Sequence, residues 1–169
     1  VFFDASMSSH IINLSLSVHF QLRNISRIRR FLDFEFCHQV IRALVLSRLD
    51  YGTCNSLLYG VTEQNLDKLQ RLQCRAARLL FSVDRRVSAS PLLSQLHWLT
   101  VRQRIIFKIA LHIFKCIHNT APQYLNHFIC PYVPGRPGLR SCYDETWLSV
   151  SRSRNSFSDK AFSISGPKL

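Results

Sequence analysis

Apolar positions recur at helical spacing along most of the chain, and the most apolar such run lies between Val101 and His118. Set at about 100° per residue, Ile105, Ile106, Ile109, Ile113, Cys116 and Ile117 share one side. Phe107, Ala110, Leu111 and Phe114 carry the apolar surface further round, leaving a narrow stripe of Arg104, Lys108, His112 and Lys115. A helix that is apolar over most of its circumference needs neighbours on several sides. The pattern therefore predicts that this helix is the centre of a bundle. Thr100 stands where a hydroxyl caps the first unpaired backbone N–H groups.

The other elements follow from the same periodicity. Val1 to Asp4 is short, apolar and β-like. From Ile11, the positions Leu14, Val18, Leu22, Ile25, Ile28 and Leu32 step by three and four, with Arg23, Arg27 and Arg30 off that face. Asp33 is suited to cap a second helix from Phe34 to about Arg48, which Tyr51-Gly52 ends, and Gly60 closes the segment after it. Thr62 caps a third helix, with Glu63 and Asp67 where the helix dipole favours acids. Its Leu66, Leu69, Leu72, Ala76, Leu79 and Leu80 form one face, while Lys68, Arg71, Arg75 and Arg78 step by three, four and three along another. A loop from Ser82 to Ser90 carries Arg85 and Arg86, and Pro91 opens a short helix. Ala121-Pro122 begins another, through Phe128. Pro131, Pro134, Gly135, Pro137 and Gly138 then end regular structure. In the Ser- and Arg-rich remainder, Trp147 to Ser151 alternates like a strand, and Ser158 to Ile164 suits one or two helical turns.

The expected fold class is mostly α, a helical bundle over residues 1–130 with an irregular Pro/Gly/Ser/Arg-rich tail over 131–169. At 169 residues, 47% hydrophobic and 11% aromatic, the chain has the composition of a globular protein. No apolar run approaches the length that spans a bilayer. Six cysteines (37, 54, 74, 116, 130 and 142) show no C-x-x-C spacing. They read as reduced thiols in an intracellular protein of the cytoplasm and nucleus. Val1 in place of Met leads us to expect a fragment of a longer chain.

Charge changes the picture most. Lys and Arg number 22 against 10 Asp and Glu, a net +12, and no acid occurs between Arg85 and Tyr143. Such an excess points to a polyanion, nucleic acid first. The stripe Lys68, Arg71, Arg75 and Arg78 lacks the alternating signs of a merely solvated face. With Arg85, Arg86, Arg104, Lys108 and Lys115 it makes the candidate phosphate-contacting set. Trp98 and Tyr124 have rings that stack on bases, but core packing is the commoner fate of such residues. No adjacent pair of aspartates exists to hold metal ions, so catalysis by this chain alone is not expected. His112, Cys116 and Cys130 are a weak zinc set, since no paired knuckle accompanies them. Cys37-His38 is a poor nucleophile pair, because adjacent helical residues point apart.

Several ordered segments resemble one family. Ser-Arg-Leu-Asp-Tyr at 47–51 and Asn-Ser-Leu-Leu-Tyr-Gly at 55–60 resemble a hallmark of LINE-type (non-LTR) retrotransposon reverse transcriptases of the jockey-like group. Leu-Asp-Lys-Leu-Gln-Arg-Leu-Gln at 66–73, Ala-Ala-Arg-Leu at 76–79, Leu-His-Trp-Leu at 96–99 and Val-Arg-Gln-Arg-Ile at 101–105 follow in order. Ala-Pro-Gln-Tyr-Leu at 121–125, Asp-Lys-Ala-Phe-Ser at 159–163 and Gly-Pro-Lys-Leu at 166–169 complete the series. The chain departs from the pattern at Gly52-Thr53-Cys54, Cys74 and Thr100.

The resemblance implies a region downstream of the polymerase palm, covering the thumb and C-terminal extension of an RNA-directed DNA polymerase. The palm's Tyr-x-Asp-Asp box has no match here, so the resemblance implies no catalytic residue. It implies that the basic helix faces grip template–primer duplex or element RNA, with the parent's palm domain as a protein partner. No cofactor, membrane or small-molecule substrate is expected. Two rival readings stand beside it. One is a helical protein-interaction module meeting an acidic partner, and the other is a zinc-dependent nucleic-acid binder using His112, Cys116 and Cys130.

Overall fold

The computed structural model describes residues 2–51, 58–133, 147–152 and 158–168 (of 2–6, 51 and 160, the backbone alone). The expected break at Gly52, Cys54, the Pro/Gly run from Pro134 to Gly138, Arg136, Arg140, Cys142, Asp144 and Glu145 lie outside the described residues. The fold is mostly helical. Its helices are α1 (Phe2–Ile28), α2 (Phe34–Ile41), α3 (Ser47–Tyr51), α4 (Glu63–Phe81), α5 (Ser90–Gln95), α6 (Val101–Ile117), α7 (Gln123–Asn126) and α8 (Phe162–Ser165). A 3-10 turn, Arg29–Phe31, follows α1, and a π-helical turn, Arg42–Leu46, joins α2 to α3. The chain forms two compact units, Val1–Arg104 and Ile105–Leu169, and the division falls inside α6.

In the first unit α1 packs along α4. On α1 the buried positions are Met7, Ile11, Val18, Leu22 and Ile25; on α4 they include Leu69, Leu72, Ala76, Ala77 and Leu80. Burying a large aliphatic side chain of this kind contributes about 1.5–3 kcal/mol, and the small Ala76 and Ala77 let a neighbouring backbone approach closely. Helix α1 begins at Phe2, so the β-like reading of the first residues is overturned. The helical periodicity that starts at Ile11 extends back through Met7, and local apolar character gives way to it. Ile28, expected on the apolar face, is exposed where the chain leaves α1.

The helix ends show which capping signals acted. Asp33 and Thr62 occupy the N-cap positions of α2 and α4, yet neither side chain makes a capping hydrogen bond. Their carbonyls do the work: Asp33 O accepts from Cys37 N, and Thr62 O accepts from Asn65 N and Leu66 N. Thr100 does cap α6. Gln103 N donates to Thr100 Oγ1 at 3.4 Å, and Thr100 N donates back to Gln103 Oε1 at 3.2 Å, a capping box. Gln70 of α4 adds an acceptor for Val101 N at 2.9 Å. Fully buried Gln73 donates to Leu99 O at 2.8 Å. Two glutamines one turn apart thus fasten the start of α6 to α4.

Helix α6 does not have the all-round burial its composition predicts. Val101, Ile105, Ile109, Ile113 and Cys116 are buried, whereas Ile106, Phe107, Leu111, Phe114 and Ile117 are exposed. The buried set steps by four, four, four and three, which is the stripe of a helix packed on one side. In the second unit, Gly166 sits against Ile113: a Cβ there would lie 3.2 Å from its Cδ1 and 2.8 Å from the Phe162 carbonyl oxygen. The strand-like Trp147 segment contributes a single antiparallel bridge, Leu148 with Pro131, bounded by Tyr132 N to Trp147 O and Ser149 N to Cys130 O, both 2.8 Å. No helix among the described residues is long and apolar enough to cross a membrane.

Candidate nucleic-acid interface

The packing of α1 against α4 leaves a groove of 620 Å³ along their common edge. Its α4 wall carries Lys68, Arg71, Arg75 and Arg78, and Arg85 from the following loop joins them. The three-four-three spacing places all four helical cations on one side, since residues three and four apart are neighbours on a helix. Leu72 and Leu79 of α4 and Leu22 of α1 line it below the charges. A smaller hollow of 370 Å³ shares Ser26, Arg78, Leu79 and Val83 with the groove and extends it to Arg29 and Arg30.

Each cation is held differently. Arg78 donates from Nε to Val87 O at 2.8 Å, which fixes its stem and leaves the guanidinium's outer nitrogens for a ligand. Arg75 Nη1 lies 3.0 Å from His19 Nδ1. A guanidinium only donates, so Nδ1 is the acceptor and the imidazole is neutral. Burial, then the charges of Arg75 and Arg23, hold the His19 pKa below its ordinary value. Lys68 donates to Asn65 Oδ1 at 3.1 Å, and that amide donates in turn to Ser8 Oγ. Arg71 and Arg85 are exposed. Arg29 is pinned by Leu80 O at 2.8 Å and Leu32 O at 2.9 Å. A cation at that end of α4 also answers the negative end of its dipole.

Among the described residues no carboxylate lines the groove. The ion pairs among the described residues are Arg102 with Glu63, Arg104 with Asp50 and Lys168 with Asp159. None uses a groove cation. Glu63 and Asp50 thus pair with arginines at the start of α6, and the groove cations stand outside these pairs.

The remaining predicted residues do not gather there. Arg104 is directed to Asp50 at 2.9 Å, with its side chain 15% exposed, and is no open phosphate contact. Lys115 is exposed and Lys108 half-buried, both on α6 in the second unit. Arg86 is exposed beside the groove loop, with its backbone N–H on Asp84. Trp98 is half-buried and stacks on His38 with ring centroids 5.8 Å apart. Tyr124, for which core packing was the expected fate, is exposed instead; the short α7 gives it no opposing layer.

Among the described residues no three His, Cys, Asp or Glu side chains come together to hold a metal. The zinc reading of His112, Cys116 and Cys130 thus has no site: Cys116 is buried and Cys130 exposed. Burial pushes the Cys37 and Cys116 thiols up, away from the thiolate that binds metal or attacks a substrate.

The sequence reading missed the α1 side of the groove. His19, Ile12 and Leu16 line it, on the flank of α1 beside the core positions, and Phe20 stands one turn beyond Leu16, outside the lining. Their signal was present in the four-residue spacing of Ile12, Leu16 and Phe20. A search for the buried face alone passes over it. No protein-family model, curated protein or solved structure matches the chain.

Proposed function

We propose that this chain binds nucleic acid through the cationic groove between α1 and α4, and that it is the post-palm part of a retrotransposon RNA-directed DNA polymerase. The observation that supports binding is the gathering of Lys68, Arg71, Arg75, Arg78 and Arg85 on one groove that, among the described residues, no carboxylate lines. Concave surfaces of one charge sign concentrate the field and attract polyanions. Contacts of this kind go to phosphates, so they set affinity and orientation rather than sequence choice. The link to a polymerase rests on the ordered segments that resemble the jockey-like family. On that reading the chain supplies grip and the absent palm supplies chemistry. Free thiols at Cys37, Cys74, Cys116 and Cys130 suit the reducing intracellular compartment where such a protein works.

The experiment is direct. Replacing Arg71, Arg75 and Arg78 together with Gln is expected to weaken binding of labelled RNA and DNA oligonucleotides by tenfold or more (about one decade per lost cluster of phosphate contacts at low salt), with helical circular dichroism unchanged. Equal affinity of variant and parent for both polymers would exclude the groove as the binding surface. Tight, salt-insensitive capture of an acidic protein in place of either polymer would instead support the interaction-module reading.

A further inference from the structure

The groove has two unlike walls, and this bears on which form of nucleic acid it takes. The α4 wall is cationic. The α1 wall presents Ile12 and Leu16, one turn apart and 49% and 63% exposed, with the His19 ring beside them and Ser15 and Ser26 along the same wall. Ile12, Leu16 and His19 line the groove directly. Two large apolar side chains in solvent along the wall of a cationic groove call for a ligand with apolar faces.

A duplex does not supply those faces. Its bases are closed in the stack, and it presents a convex phosphate surface. An unpaired strand exposes flat base faces within reach of its own phosphates, and protein sites for such strands combine a basic track with stacking or apolar side chains. The α4 cations from Lys68 to Arg78 rise about 15 Å along the helix axis, a length that follows a short run of backbone rather than a turn of duplex. Three of those four are arginines, whose planar guanidinium groups both pair with phosphate and stack on bases.

We infer that the α1–α4 groove takes a single nucleic-acid strand in preference to a duplex, with phosphates along Lys68, Arg71, Arg75 and Arg78 and bases against Ile12, Leu16 and His19. This rests on the nucleic-acid reading above and specifies its ligand. Ile12 and Leu16 are the discriminating residues, because they offer nothing to a paired stack.

The test uses the full chain and two fluorescein-labelled probes, an unstructured poly(U) strand of about 12 nucleotides and a hairpin duplex of equal phosphate number, in the same buffer. The parent protein is expected to bind the single strand at least tenfold more tightly. Ile12→Ala with Leu16→Ala is expected to lower that affinity about tenfold and to leave duplex binding unchanged. Both side chains lie outside the core, so circular dichroism should not move. A second variant, Leu16→Trp, is expected to retain binding, and its added fluorescence should be quenched by the strand and not by the duplex. Duplex binding equal to or tighter than strand binding, with the alanine pair indifferent, would overturn this inference while leaving the nucleic-acid reading intact. Failure of both probes, with capture of an amphipathic helix of Glu, Ala and Leu, would overturn both.

Discussion

His19 illustrates how one side chain ties the fold to charge. Arg75 Nη1 lies against its Nδ1, and burial, then the charges of Arg75 and Arg23, lower its pKa and disfavour a proton on the ring. The unfolded chain has no such environment, so its His19 takes up a proton near the ordinary 6.5 while the folded chain does not. Stability therefore falls as pH drops through about 6.5 and stops falling once the folded pKa is also passed. His19→Gln should abolish that part of the pH dependence, so the stability difference between parent and variant should change in favour of the variant between pH 7 and pH 5. Urea titrations at the two values check it; a pH-independent difference would show that the ring is not held neutral. The spacing of the cations was readable from the sequence, but their partners were not. Arg104 and Arg71 look alike on a helical wheel, and only tertiary placement puts Asp50 beside one of them.

At the scale of elements, termination of α4 is the informative case. Ser82 ends it in the left-handed conformation, φ 54° and ψ 36°, with Val83 N donating to Arg78 O and Ser82 N to Leu79 O. This is the Schellman arrangement, which normally places glycine at that residue. His97 and Asn119 take the same conformation after α5 and α6. Ser82→Gly should raise stability by about 1 kcal/mol, since a side chain costs roughly that much there, and thermal denaturation should show the midpoint rising. A fall would mean that the Ser side chain compensates its own strain. Most helices were legible because their apolar spacing is regular. The all-round burial of α6 was not, for periodicity reports how apolar a face is, not whether another element covers it. Ile106 and Ile109 are the same residue three positions apart, one exposed and one buried. The π-helical turn at Arg42–Leu46 also left no sign in the pattern.

For the molecule as a whole, the distribution of acids explains the net charge better than the count of bases. Glu63 and Asp50 pair with arginines at the start of α6, and Asp159 pairs with Lys168 in the second unit. Lys68, Arg71, Arg75, Arg78 and Arg85 on the α1–α4 groove stand outside these ion pairs. The central claim is that this groove binds a polyphosphate chain, and the most direct measurement is the salt dependence of oligonucleotide binding. Each neutralised phosphate of a single strand contributes about 0.7 to the log–log slope, so five contacts predict a slope of about −3.5. Arg71→Gln, Arg75→Gln and Arg78→Gln together should reduce it to about −1.4 by the same count. An identical slope in parent and variant, or no binding at low salt, would contradict the account.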